Sequence, residues 1–351
     1  MTDPAPQSDI LDLGAPGLSA WLKARGIAPY RTAQILRWIC LRQMDRFEDM
    51  TDLGKDLREE LAQNFTIPRL DVLERAESSD GSEKFLFGLA DGQSVEAVLM
   101  PERDHHTLCV SSQIGCAMGC AFCRTGAEGL SRNLTAGEMV AQVRDVLAML
   151  QGPDRLTNLV FMGMGEPLAN YENLRTALSL ILDAHQGLSF AGRRVTVSTA
   201  GLASKIVGLG QDTRVNLAIS LNAVDDETRS AIMPVNRIHP IRDLLAACDA
   251  FPLRPGRRIT FEYVLLAGVN DSLAEARELA RMLSPRRAKI NLIPFNPHDR
   301  APYERPDEAA VLAFQQVLLK ANFTAVIRQS KGADIAAACG QLRAARQGVS
   351  E

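Results

Sequence analysis

The chain has 351 residues, 46% of them hydrophobic, with a formal net charge of −3 at neutral pH. That length and composition allow a large buried core plus an accessory unit. The charge does not mark a nucleic-acid binder, although a local basic face would be enough for one, and no apolar run is long enough for a membrane span.

The opening residues, "MTDPAPQSDILDLGAPG", lack the charged and apolar regions of a signal peptide and are expected to form a disordered tail over 1–15. Residues 16–70 are predicted as a small helical accessory domain. "LSAWLKARG" and "YRTAQILRWICLRQ" space their apolar residues as a helix does, and "DLGKDLREELAQNF" follows. Two strand-like runs, "EKFLFGLA" and "SVEAVLMP", flank the turn "DGQ" and predict a β-hairpin extension over 71–104.

From residue 105 to 328 the pattern alternates. Strands are predicted at "TLCVSS", "LTNLVFMG", "RRVTVST", "VNLAISL", "RITFEYVLL" and "KINLIPF", with helices near 135–150, 171–185, 240–250 and 272–284. Six strands alternating with helices predict an α/β fold with a parallel sheet. A seventh run, "TAVIRQ", follows a helix at 307–320, and a final helix is expected over 333–346, inside a C-terminal segment 329–351.

In parallel α/β folds the chemistry sits at the carboxyl ends of the strands. "GCAMGCAFC" (115–123) follows the first strand, "GMGEP" (163–167) the second and "STAG" (198–201) the third; "SLNA" (220–223) ends the fourth and "PFNP" (294–297) the sixth. The first of these gathers Cys116, Cys120 and Cys123, three of only seven cysteines. The seven are not spread as a disulfide framework, so reduced thiols and a cytoplasmic protein are expected. Structural zinc would want a fourth ligand, from His105, His106 or Cys109. The intervening Ala117, Met118, Gly119, Ala121 and Phe122 are small or apolar and suit a bulky inorganic cluster in dry surroundings. A four-iron cluster on three thiolates keeps one iron open for a substrate.

C-x3-C-x2-C after the first strand of such a series resembles the radical S-adenosylmethionine (SAM) enzymes. "SSQIGCAMGCAFCRTG", "VFMGMGEPLAN", "RRVTVSTAG", "NLAISLNAVDDETRSAIMPVNR", "INLIPFNP" and "GADIAAACGQL", with the N-terminal "YRTAQILRWICLRQMDRFEDMTDLGKDLREEL", together resemble the RlmN/Cfr family of radical SAM RNA methyltransferases. The accessory domain and motif wording lie closer to its RlmN branch. The resemblance implies a partial (βα)6 barrel with an N-terminal all-helical domain. It implies a [4Fe-4S] cluster on Cys116, Cys120 and Cys123, and two SAM molecules per turnover. It also implies methylation at C2 of an adenosine in 23S rRNA and of the adenosine 3′ of the anticodon in some tRNAs.

The same resemblance makes Cys339 the cysteine that is methylated, Cys109 its partner thiol and Glu96 the base. It puts Gly163, Gly165, Glu166, Ser198, Ser220, Leu221, Asn222 and Asn296 around SAM. On the residues alone, Cys109 reads as a buried strand residue and Cys339 as a helix-packing residue. Glu96 reads as a strand carboxylate sharing a face with Ser94, Val98 and Met100. Cys40 and Cys248 match no motif and read as core. Two positions depart from the family: Asn222 stands where His is usual and cannot titrate at neutral pH, and Lys331 stands where Arg is common. Implied partners are 23S rRNA, tRNA and an electron donor of flavodoxin or ferredoxin type, with the protein a monomer. C8 methylation, as in Cfr, and a zinc-stabilised RNA-binding module without catalysis are the alternatives. The runs "LRPGRRITF", "SPRRAKI" and "LRAARQ" would contact phosphates if they share the strand-end rim.

Overall fold

The computed structural model describes residues 7–150 and 155–342. The chain is ordered well before residue 16, contrary to the expected tail. Strand β1 (Ser8–Asp9) leads into a 3-10 turn, Ile10–Leu13, whose Ile10 and Leu11 are fully buried. The "ILDL" run thus supplies core residues that the Pro-rich start of the chain concealed. Helices α1 (Gly14–Ala24), α2 (Arg31–Leu36) and α3 (Lys55–Asn64) follow, and β2 (Phe65–Thr66) pairs in parallel with β1. The accessory unit is therefore mainly, though not wholly, helical.

Strands β3 (Asp71–Glu77), β4 (Glu83–Gly88) and β5 (Ser94–Pro101) form an antiparallel meander. They are not a separate hairpin extension. β5 pairs with β6 (His106–Cys109), and one sheet of ten strands results. The charged, exposed edge strand "DVLERAE" was missed because it lacks apolar alternation. After β6 come a short antiparallel pair, β7 (Gln113–Gly115) and β8 (Leu130–Asn133), with α4 (Arg124–Ala127) between them, and then α5 (Ala136–Met149).

The βα units then run in order: β9 (Leu156–Phe161), α6 (Tyr171–Leu182), β10 (Val195–Thr199), α7 (Ala203–Asp212) and β11 (Asn216–Ser220). They continue through α8 (Asp226–Ile232), α9 (Ile241–Ala250), β12 (Ile259–Leu265), α10 (Leu273–Leu283), β13 (Ala288–Pro294), α11 (Glu308–Lys320) and β14 (Ala325–Ile327). Strands β6 and β9 to β14 are all parallel, and the order is β14-β13-β12-β11-β10-β9-β6-β5-β4-β3.

Register makes the sheet two-faced, since residues alternate sides along each strand. Phe85, Leu108, Leu159, Val197, Ile219, Phe261 and Ile290 point to the buried side and belong to the main core. The other side, the barrel lumen, carries Lys84, Glu96, Cys109, Ser198, Glu262 and Asn291, as the pairings Lys84↔Val98↔Cys109 and Ser220↔Glu262↔Asn291 require. The helix expected over 333–346 is not formed in its described part. Residues 333–335 make one 3-10 turn, and positive φ at Gly332, Ala336 and Gly340 (63°, 50° and 83°) breaks the right-handed path on either side. Residues 343–346 lie outside the described residues.

The N-terminal unit is joined to the barrel by buried charge. Arg144, fully buried on α5, bonds Asp45 at 2.8 Å, and Arg69 bonds Asp145 at 3.0 Å. Beside them Asp9 accepts from the Leu11 amide at 2.9 Å, while Asp12 accepts from Gly137 N at the start of α5. Desolvation pushes Asp9 up to about 7, against the Leu11 amide, which lowers it. A raised carboxyl favours the protonated folded state, so its contribution to stability falls as pH rises from about 4 to about 7. Asp9→Asn should keep the amide contact without the titration. Its Tm should gain on the wild type across that window and hold the gain at pH 8. A Tm difference that is flat with pH would refute the assignment.

Candidate active site at the barrel mouth

The segment leaving β6 is fixed before it reaches the cysteines. Gln142 of α5 accepts from Ser111 N (2.9 Å) and donates to Ser111 O (3.1 Å), and Asn170 donates to Ser112 O (2.8 Å). Gln113 accepts from Glu166 N at 2.7 Å. The "GMGEP" turn crosses directly over this segment. A Cβ on Gly163 would lie 2.6 Å from Ser111 Oγ, and one on Gly165, where φ is +95°, would lie 2.4 Å from Gln113 Cβ. These glycines are therefore required by contact with the protein's own 110–113 segment, whatever approaches them from the lumen.

The cysteine loop starts on the β7–β8 shelf, where Cys116 N donates to Gly129 O (2.8 Å). It is held further on by Ala121 N to Ile232 O (2.9 Å) and Cys123 N to Cys120 O (3.0 Å). Cys116 is buried, and Cys120 and Cys123 are partly buried. Ile232, Met233, Val235, Leu266 and Phe295 form a separate apolar cluster against which Met118, Cys120 and Phe122 pack. Desolvation pushes the Cys116 thiol up to about 12 and Cys120 well above its ordinary value. Cys123 is raised as well, against hydrogen bonds from Gly126 and Thr125. Such thiols stay neutral until a metal takes their protons.

Three thiols on a dry, apolar floor fit a [4Fe-4S] cluster, with Cys116, Cys120 and Cys123 as its holders. The candidates for a fourth zinc ligand lie elsewhere. His105 uses Nδ1 on Asp104 (2.7 Å) and Nε2 on Asn158 (2.8 Å), and it sits with His106 at the amino end of β6. Cys109 is in the lumen, where its titratable neighbour is Cys339.

Cys339 reaches that neighbourhood because residues 329–342 cross the open side of the barrel. Asp334 accepts from Ser78 Oγ and from Ser79 N, which lower its carboxyl to about 2. Gly332 N donates to Asp80 (3.1 Å), Asn296 Nδ2 to Cys339 O (3.2 Å) and Arg124 N to Gly340 O (2.8 Å). Cys339 is exposed by surface area, yet desolvation, then Glu262, raises its thiol, while Arg328 opposes. Cys109 is raised first by desolvation, then by Cys339. Glu96, buried on β5, pairs with Lys84 at 3.2 Å, and it shares its face with Cys109 through Val98.

The residues expected around SAM divide into two groups. Ser198 and Ser220 lie on the lumen side near the carboxyl ends of β10 and β11, and both are partly exposed. Glu166 is buried at the end of β9, with one oxygen on Leu168 N (2.9 Å) and the other on Ala200 N (2.6 Å). Desolvation raises it to about 7, against both amides.

Leu221, Asn222 and Asn296 also make contacts within the protein. The Leu221 side chain is fully buried in the core. Asn222, at φ 61°, accepts from Val264 N (2.8 Å) and donates to Met233 Sδ (3.1 Å). Asn tolerates this left-handed conformation, and its side chain braces the turn. Asn296 holds the Cys339 carbonyl.

Sequence reasoning missed Arg229. Fully buried, it donates to Leu221 O (2.9 Å), Ala200 O (2.7 Å), Ser220 O (3.1 Å) and Asn236 (2.9 Å), tying the ends of β10 and β11 together. Desolvation lowers it to about 10, and the proximity of Cys120 opposes that. Only its place in "DDETRSAIMPVNR" marked it.

A three-thiol loop at the carboxyl end of the first parallel strand of a partial barrel defines a radical SAM enzyme. The Radical SAM superfamily model matches residues 110–280, and the ribosomal RNA large subunit methyltransferase N-terminal domain matches residues 8–67. The chain is 50% identical over 344 residues to the dual-specificity RNA methyltransferase RlmN of Desulfosudis oleivorans, covering 98% of this chain and 93% of that one. It is 49% identical to the enzyme of the same name from an Anaeromyxobacter species, covering 97% and 92%. A radical SAM methyltransferase from Sphaerobacter thermophilus superposes with a TM-score of 0.88 at 44% identity, covering 96% of this chain and 99% of that one. The chain belongs to the RlmN family of radical SAM methyltransferases, enzymes of a superfamily that carries a [4Fe-4S] cluster and uses SAM.

Gly165→Ala tests the crossing over residue 113. The left-handed strain and the overlap with Gln113 should together cost about 2–3 kcal/mol, read as a lower denaturation midpoint. The cysteine loop downstream should lose iron with it. A variant as stable as the wild type would mean that the two segments are not fixed against each other.

Proposed function

We propose that this protein methylates C2 of one adenosine in 23S rRNA, and the adenosine 3′ of the anticodon in some tRNAs, through a carbon carried on Cys339. The observation that carries this reading is the meeting of two free thiols, Cys109 and Cys339, 230 residues apart in sequence, in one lumen beside the cysteine loop. The relatives' description as dual-specificity RNA methyltransferases supports RNA as substrate. C2 and C8 of adenine both lie between ring nitrogens and are not nucleophilic, so ordinary methyl transfer is closed to them.

When bound on Cys116, Cys120 and Cys123, the cluster and SAM supply a methyl group and a 5′-deoxyadenosyl radical. The chain's own residues do the rest. Cys339 takes the methyl carbon on sulfur and holds it against the flipped base. Once that carbon is joined to the base, Glu96, paired with Lys84, takes the proton from the ring carbon, and the unpaired electron left on the base would return to the cluster. Cys109 then attacks the Cys339 sulfur. The carbon–sulfur bond breaks toward carbon, which takes up a proton, and a Cys109–Cys339 disulfide remains for an external thiol to reduce. A cytoplasmic monomer served by a flavodoxin- or ferredoxin-type donor completes the reading.

Cys109→Ala should accumulate a covalent protein–RNA species, seen as a slow-migrating band, and Cys339→Ala should form none. Normal turnover by Cys109→Ala, with no adduct, would remove its role. The carbon is read by incubating the wild type with unmodified 23S rRNA, SAM and a reducing system, then analysing nucleosides by mass spectrometry. A product matching 2-methyladenosine is expected. One matching only 8-methyladenosine would overturn C2.

A further inference from the structure

Two of the arginine runs, "LRPGRRITF" and "SPRRAKI", are not at the rim where the cysteines lie, and the arginines of "LRAARQ" fall outside the described residues. Arg254, Arg257 and Arg258 precede β12, Arg286 and Arg287 precede β13, and Arg193 precedes β10, all at the amino ends of the strands. Arg286 is paired with Asp249 at 2.7 Å. Among the described residues the other five have no carboxylate partner within ion-pair distance. Arg257 is anchored on Arg214 O (2.7 Å), and Arg258 on Thr324 Oγ1 (2.8 Å). Desolvation, then the neighbouring charges of Arg254 and Arg193, hold Arg257 below its ordinary value. In a chain of net charge −3, crowding cations so closely has an electrostatic cost that a polyanion would relieve.

The cations continue inward. Lys289 lies one residue inside β13 on the lumen face, level with Thr260, and feels Glu262, Arg328 and Arg258. Glu262 is four residues beyond Arg258, about 13 Å along the strand, and it is the charged neighbour of Cys339. At the opposite mouth lies the cysteine loop, to which the end of the 329–342 strap is tied through Arg124 N to Gly340 O and Thr125 Oγ1 to Leu342 O (2.6 Å). The lumen face is thus lined with cations from the amino end toward Glu262 and Cys339.

We propose that the amino-end rim of the barrel is the docking surface for the RNA phosphates flanking the target adenosine, and that the base enters the lumen from that side. This rests on the RNA reading above and adds a surface and a direction to it. The rim is at the far end of the strands from the cluster cysteines, which disfavours it as a seat for a protein electron donor.

The test uses the full chain loaded with iron and sulfide. A rim variant, Arg193→Gln with Arg254→Gln and Arg258→Gln, is compared with a control, Arg175→Gln with Lys205→Gln and Arg242→Gln, on the outer helices near the other rim. Folding is checked by iron content and Tm. Affinity for tRNA and for a 23S rRNA fragment is measured against salt. The rim variant should bind about tenfold or more weakly, and the slope of log K against log salt should fall by about two to three. The control should match the wild type. Arg254→Gln alone, at an exposed side chain with no hydrogen bond among the described residues, should lower the slope by about one and covers the case of a misfolded triple variant.

An unchanged slope in the rim variants, or a loss in the control instead, overturns the proposal. So does a rim variant that keeps its RNA affinity but loses SAM cleavage driven by an acidic flavoprotein while keeping cleavage driven by dithionite; the rim would then dock the reductant. A wild type that binds RNA through the rim without methylating it sinks the function proposed above and leaves the surface standing.

Discussion

Everything at the proposed site depends on residues 329–342 closing back over the open side of the barrel. Two ends hold this strap: Asp334 and Gly332 on the Ser78–Asp80 turn, and Gly340 and Leu342 on the cysteine loop. Closing so long a loop costs little more entropy than closing a short one, because the penalty grows only as the logarithm of length. A few hydrogen bonds to ordered turns can therefore hold Cys339 beside a thiol 230 residues earlier. The left-handed residues Gly332, Ala336 and Gly340 turn the strap across the opening, where a helix would have carried Cys339 along a straight axis.

The second constraint is electrical. The lumen collects thiols and carboxyls in a place poor in water, and burial keeps the thiols neutral until metal or alkylation changes them. Cations balance this at chosen points. Lys84 pairs with Glu96, Arg229 sits near Cys120, and Arg328 opposes the effect of Glu262 on Cys339. Removing one member of such a set leaves its partner unpaired in low dielectric. The Gly163 and Gly165 crossing serves the same end mechanically, since it locks residues 111–113 just before the cysteine loop.

Much of this was legible in the residues. The six alternating strands, the cysteine spacing and the polar segments at strand ends are local patterns, and local patterns follow from side-chain period and turn chemistry. The misses share one cause. Ile10 and Leu11 were hidden in a Pro-rich start, β3 has no apolar alternation, and the C-terminal helix was inferred from composition. In each case a distant partner, not the local sequence, decides the conformation. The contacts of Asn222 and Asn296 with Met233, Val264 and Cys339 are likewise long-range and not written in any local motif.

By itself the sequence determined the three-thiol loop, the α/β alternation and the family, because each is written in residue types at fixed short spacings. Tertiary structure alone decided that Cys109, Cys339 and Glu96 share one lumen, that the arginines before β12 and β13 lie at the amino rim and that Arg229 ties the strand ends. Those facts depend on register and on which strand ends meet. One-residue shifts in register would send every lumen side chain to the opposite face, and no short stretch of sequence records that choice.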